Sequence, residues 1–99
     1  MSAVSDRPRI DTTQDADQDE RRRRPWVVIL YNDDWHAFDE VILQLQKATG
    51  CPLEQAEAVA YLAHTQGRAV AHHGSFEECE RAAAVLRQIR LQVETDMAS

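Results

Sequence analysis

The chain has 99 residues, of which 28% are charged, a net charge of −6 at pH 7, and two cysteines. That length supports one domain at most, and the acidic balance disfavours a nucleic-acid partner, because phosphate contacts need Lys and Arg gathered on one face. No apolar run approaches the roughly 20 residues of a membrane span, and the start lacks the apolar core of a secretory signal. Cys51 and Cys79 show no CxxC spacing, so the expected setting is the reducing cytoplasm, with no membrane contact and no disulfide framework.

The charge is unevenly placed. Residues 1–25 carry six Arg and six acidic residues, whereas residues 26–99 carry five basic and eleven acidic ones. The whole excess therefore sits on the part expected to fold, where it suits a positively charged ligand. Residues 1–25 have only Val4 and Ile10 as sizeable apolar side chains and show no periodicity, so they read as a disordered N-terminal extension before a core domain at 26–99. Arg21–Arg24 reads as a solvated run, since six nearby carboxylates cancel it as a nucleic-acid arm.

The predicted fold begins at Trp26. WVVILY is a continuous apolar and β-branched run between Pro25 and Asn32-Asp33-Asp34, which predicts a buried strand. Phe38, Val41, Ile42 and Leu45 then recur at helical spacing, and Gly50 stops that helix. Pro52 opens a second helix with a narrow face of Leu53, Ala56, Val59, Ala60 and Ala63, ended by Gly67. RAVAHH alternates as a short strand. Ser75 and Glu78 form a capping box for a third helix whose apolar side is Val85, Leu86 and Ile89, and LQVET alternates as a last strand. The β-α-α-β-α-β order predicts a two-layer α+β domain: a three-stranded antiparallel sheet with three helices on one face.

Asn32-Asp33-Asp34 at the strand-to-helix turn is the strongest local feature. Turn chemistry plus a helix N-cap accounts for one of the acidic residues well. A second reading notices that capping cannot use every acceptor. If His64, near the end of the second helix, faces the spare ones, three acceptors converge in a pattern that suits an ammonium group. His64 has its own simpler reading, as a helix terminator. His36, His64, His72, His73 and the two cysteines lack the short spacing of a metal site, and neither cysteine sits in a nucleophile motif. No metal, no cofactor and no enzymatic activity are expected.

The hydrophobic strand, the NDD turn, the helix containing FDEVILQLQK and the second helix ending in AHTQGRAV together resemble ClpS, the bacterial adaptor family of the N-degron pathway. The match runs from about Val27 to Val70 and more loosely to the end, and includes the spacing from Asn32 to His64. The resemblance implies the fold of the ribosomal stalk protein's C-terminal domain. It also implies an α-amino site at Asn32, Asp34 and His64, with Asp33 alongside. Beside it, the resemblance implies an apolar pocket for a bulky first residue, lined by Leu30, Tyr31, His36, Phe38, Val41, Ala60 and Ala63. The implied partners are N-terminal segments of substrate proteins and a Clp AAA+ unfoldase of the ClpA or ClpC type, engaged by a monomeric adaptor.

The sequence departs from the family pattern in three places. His36-Ala37-Phe38 stand where the family commonly has Thr-Pro-Met, so Phe38 replaces a Met that acts as a gate. Ala60 and Ala63 stand where larger residues are usual. The third helix lacks the usual HPL-type segment, so one pocket wall is either missing or supplied by Leu91. These departures motivate an alternative: a degenerate regulator that keeps the fold and binds the unfoldase without recognising N-termini.

Overall fold

The structure, a computed structural model, describes residues 20–98; most of the predicted extension lies outside the described residues, and residues 20–23 form a helical turn. Its elements are β1 (Trp26–Tyr31), α1 (Phe38–Thr49), α2 (Leu53–Gln66), β2 (Arg68–Gly74), α3 (Phe76–Arg87) and β3 (Val93–Met97). That is the predicted order, element for element.

β1 lies in the centre of the sheet, which runs β2-β1-β3 with both pairings antiparallel. Central position explains why WVVILY is apolar throughout. Val28 and Leu30 face the helices and are fully buried, while Val27, on the other face, is still 8% exposed only. The register pairs Leu30 with Ala69 on one side and with Val93 on the other. A bulge between Val28 and Ile29 offsets the β1–β2 ladder and brings Tyr31 opposite Arg68.

The helices cover one face and close a core around Val28, Leu30, Ile42, Leu45, Leu86, Leu91 and Val93. Burying each of the large aliphatic side chains contributes about 1.5–3 kcal/mol. The α2 contribution is Ala56, Val59, Ala60 and Ala63, and the facing positions of β2 are Ala69 and Ala71. Small side chains on both surfaces let the helix and strand approach closely.

Helix ends follow local chemistry. Gly50 and Gly67 adopt left-handed φ values of 71° and 92°, and their N–H groups cap Gln46 and Ala63. Ser75 and Glu78 form the predicted capping box at α3. α3 itself ends at Arg87, so Ile89 belongs to the following turn rather than to the helix face, and the buried side of α3 is Cys79, Ala82, Ala83 and Leu86. Gln44, a polar residue in the core, donates through Nε2 to the Val85 carbonyl at 2.7 Å and ties α1 to the last turn of α3.

Candidate functional site

Where β1 ends, the chain is held on both sides. Tyr31 N–H donates to Gln92 O, and Asn32 N–H donates to Gly67 O, each at 2.9 Å. The segment after the strand is thereby pinned between the approach to β3 and the end of α2. His64 sits one turn before that end, so the same hydrogen bond that anchors Asn32 brings it to the His64 end of α2.

The helix cap expected of the NDD turn does not form. α1 starts at Phe38 with Ala37 as its N-cap, and no side chain caps it; Asp39 and Glu40 in its first turn meet the helix dipole instead. The turn chemistry is present and belongs to Asp33. Its Oδ1 accepts from the backbone N–H of Trp35 at 3.2 Å and of His36 at 2.9 Å, and its Oδ2 lies 2.6 Å from Nδ1 of His36. Burial acts to raise the Asp33 carboxyl pKa, but the hydrogen bonds from His36 and Trp35 outweigh it and hold the group below its ordinary value.

A cavity of about 330 Å³ opens beside this loop. β1 supplies Leu30 and Tyr31, the loop supplies Asn32, Asp33, Asp34 and His36, α1 supplies Phe38 and Val41, and α2 supplies Ala60, Ala63 and His64. All eleven residues singled out in the sequence line this one cavity. Leu91, from the approach to β3, completes the lining, so the wall left open by the missing HPL-type segment is filled.

The lining is divided. Asn32, Asp34 and His64 are its polar members whose side chains make no hydrogen bond to protein among the described residues. Asp33 also lines the cavity, but its carboxylate is occupied within the loop. Leu30, Val41, Ala60, Ala63 and Leu91 form an apolar interior, with Phe38 at the rim and 43% exposed. Tyr31 points its hydroxyl outward to Glu94 on β3, and that bond, with a smaller effect of burial, raises the phenol pKa.

The cavity thus brings polar and apolar side chains together on a three-stranded α+β frame. The family model for "ATP-dependent Clp protease adaptor protein ClpS" matches residues 21–96. The chain belongs to the ClpS family. Among solved structures, that of Agrobacterium tumefaciens ClpS2 bound to L-phenylalaninamide superposes with a TM-score of 0.71 at 22% identity, covering 78% of this chain and all of that one, which shows the fold. Among curated proteins, the human E3 ubiquitin-protein ligase UBR2 is 36% identical over 61 residues, and the Drosophila melanogaster E3 ubiquitin-protein ligase UBR1 is 38% identical over 56. The chain covers only 4% and 3% of those two ligases' lengths, so the likeness concerns one segment of each.

Within the ClpS frame, His36 lines the cavity and is also tied to its surroundings. Both of its ring nitrogens are engaged, Nδ1 with Asp33 and Nε2 with the Ile89 carbonyl, and the Trp35 indole covers it with ring centroids 3.9 Å apart. Sequence reasoning missed three further positions: Gly67 as the anchor of Asn32, Ile89 as the partner of His36, and Gln44 as a buried tie. The first carried a visible signal, a glycine ending a helix three residues after His64. The other two carried none, because their partners lie 53 and 41 residues away. Among the described residues no cluster of three metal-ligating side chains occurs, and no helix is long and apolar enough to cross a membrane.

Proposed function

We propose that the cavity receives the free N-terminus of a substrate protein, and that this chain is an adaptor delivering such substrates to a Clp-type AAA+ unfoldase. The observation that carries the reading is that Asn32, Asp34 and His64, side chains able to accept and left unbonded by protein among the described residues, line one cavity together with Leu30, Val41, Ala60, Ala63 and Leu91. An α-ammonium group has three N–H donors and a positive charge, and its first side chain projects away from them into the apolar interior. Each charge-assisted bond contributes about 1.5–3 kcal/mol when shielded from water, and burial of a large side chain about the same, less the cost of ordering the peptide.

The cavity volume of about 330 Å³ lies at the low end for ligand sites and fits one bulky residue, such as Leu, Phe, Tyr or Trp. The ligand named for the Agrobacterium protein is consistent with this reading: L-phenylalaninamide offers a free α-amino group, an aromatic side chain and an amide in place of a carboxylate. The curated relatives support it in another way. A segment common to a Clp protease adaptor and to ubiquitin ligases fits a part that takes the substrate better than a part that docks on either machine.

The test is fluorescence anisotropy with short peptides that differ only in the first residue, beside an N-acetylated control. Peptides with a bulky apolar first residue are expected to bind at roughly micromolar Kd, and acetylation, which removes the charge and two donors, is expected to abolish binding. If no free N-terminus binds above the control, the adaptor reading fails and a regulator acting on the unfoldase alone becomes the better account.

A further inference from the structure

One side chain joins the two halves of the cavity without being free to touch a ligand through its polar atoms. His36 has a side chain only 2% exposed. Its Nδ1 lies 2.6 Å from Asp33 Oδ2, and its Nε2 contacts the carbonyl oxygen of Ile89 in the turn after α3. A carboxylate and a carbonyl can only accept. A neutral imidazole has one N–H and satisfies one of them; the ring that carries both protons satisfies both.

The surroundings agree with that state. The Trp35 indole packs against the ring at a tilt of 33°, close enough to favour a cation. The charged groups acting on it are Asp33 from its own loop and Glu40 from the first turn of α1. The turn after α3 offers only the Ile89 carbonyl: the Arg87 guanidinium is turned to Val93 O, and Arg90 is exposed. From α2 the titratable group lining the cavity is His64. Burial pulls the His36 pKa down, but the Ile89 carbonyl and Asp33 outweigh it and raise it above the ordinary imidazole value.

We propose that His36 is a positioning residue, a doubly protonated latch that holds the loop bearing Asn32 and Asp34 against the turn bearing Ile89 and Leu91. It sets the separation between the polar end of the cavity and its Leu91 wall. As pH rises and the ring loses a proton, one ring nitrogen turns a lone pair toward an oxygen that can only accept, that side of the latch opens, and the cavity loosens. The inference rests on the reading above only in taking the cavity as a ligand site.

The experiment follows the histidine ring nitrogens by ¹⁵N NMR in the full chain without ligand, from about pH 5 to about pH 9, across the free-imidazole value of about 6.5. We expect His36 to keep both ring protons to higher pH than free imidazole, and the backbone amides of Asp33, Ile89 and Leu91 to shift with the same inflection. Titration of His36 at or below the free value, or amides at Ile89 and Leu91 that ignore it, overturns the proposal. A second measurement uses His36→Ala and His36→Gln at neutral pH. His36→Ala is expected to weaken Phe- and Leu-headed peptides by the same factor, roughly tenfold, the loss of one or two charge-assisted bonds. His36→Gln, which keeps a bond to one partner, is expected to recover part of it. Unequal losses for the two peptides would mean that His36 reads the side chain instead, against the latch. Should His36→Ala fail to fold, the ligand-free titration decides alone. Absence of binding by any free N-terminus would refute the adaptor reading and leave that titration intact.

Discussion

The backbone N–H of Asn32 donates to the carbonyl of Gly67 across 2.9 Å, joining the end of the central strand to the end of α2. This bond is what makes one site out of two sequence features 32 residues apart. It depends on Gly67 holding φ at 92°, a conformation in which the helix ends, its own N–H caps Ala63, and its carbonyl turns to the strand.

Gly67→Ala therefore tests the junction. A Cβ at this position would meet nothing within 4 Å, so the cost is backbone strain alone. It should lower stability by about 1–2 kcal/mol in urea denaturation. Affinity for free N-termini should fall as well, because Asn32 loses its anchor. An unchanged midpoint would show that the turn relaxes without strain.

The two aspartates of the NDD turn should separate by assay. Asp34 is exposed and makes no bond to protein among the described residues, so Asp34→Ala should leave stability within about 0.5 kcal/mol. The same change should weaken every free N-terminus about tenfold or more, for the loss of one charge-assisted bond. Asp33→Ala removes the acceptor of two backbone N–H groups and the partner of His36, and should cost about 1–2 kcal/mol of stability. Denaturation curves and anisotropy measured on both variants would expose an equal effect in either assay, which would contradict this division.

Stability should have two pH limbs from the same pair. The Asp33 pKa is lowered in the fold, so its contribution is present above the ordinary carboxylate value and is lost as pH falls through the folded value. The His36 pKa is raised, so its contribution is present below about 6.5 and is lost as pH rises through the folded value. Unfolding free energy should therefore be highest between the two. In Asp33→Asn both limbs should flatten together; an alkaline limb that survives intact would separate His36 from Asp33.

Phe38 stands half-exposed at the rim of the cavity and makes no polar contact, so Phe38→Ala should alter preference rather than grip. Branched first residues should gain relative to aromatic ones by roughly tenfold, about what one or two methylenes are worth in an apolar pocket. Ratios of Kd for Ile-, Leu- and Phe-headed peptides measure it. A uniform loss across the three would place Phe38 with the amine-binding groups.

Much of the frame was legible in the residues themselves. The strand at Trp26–Tyr31, the helical spacing from Phe38 to Leu45, the glycine stops at Gly50 and Gly67, and the Ser75–Glu78 capping box are all relations between residues at most a few positions apart. Propensity, periodicity and capping act at that range, so the sequence by itself determined the elements, their order and the α+β class. With the family resemblance, it also pointed to every residue that lines the cavity.

What it could not divide was labour among them. Asp33 and Asp34 are adjacent and chemically identical, yet one is consumed by Trp35 and His36 while the other is left unbonded by protein. His36 read as a pocket wall and, while lining the cavity, is also bonded at both ring nitrogens; Ile89 read as a helix face and instead offers its carbonyl from a turn. Leu91 closes a wall that the sequence left open. The outcomes at His36, Ile89 and Leu91 depend on how the turn after α3 packs against the loop after β1. That contact is made by groups more than fifty residues apart, and only the folded chain brings their donors and acceptors within hydrogen-bonding range.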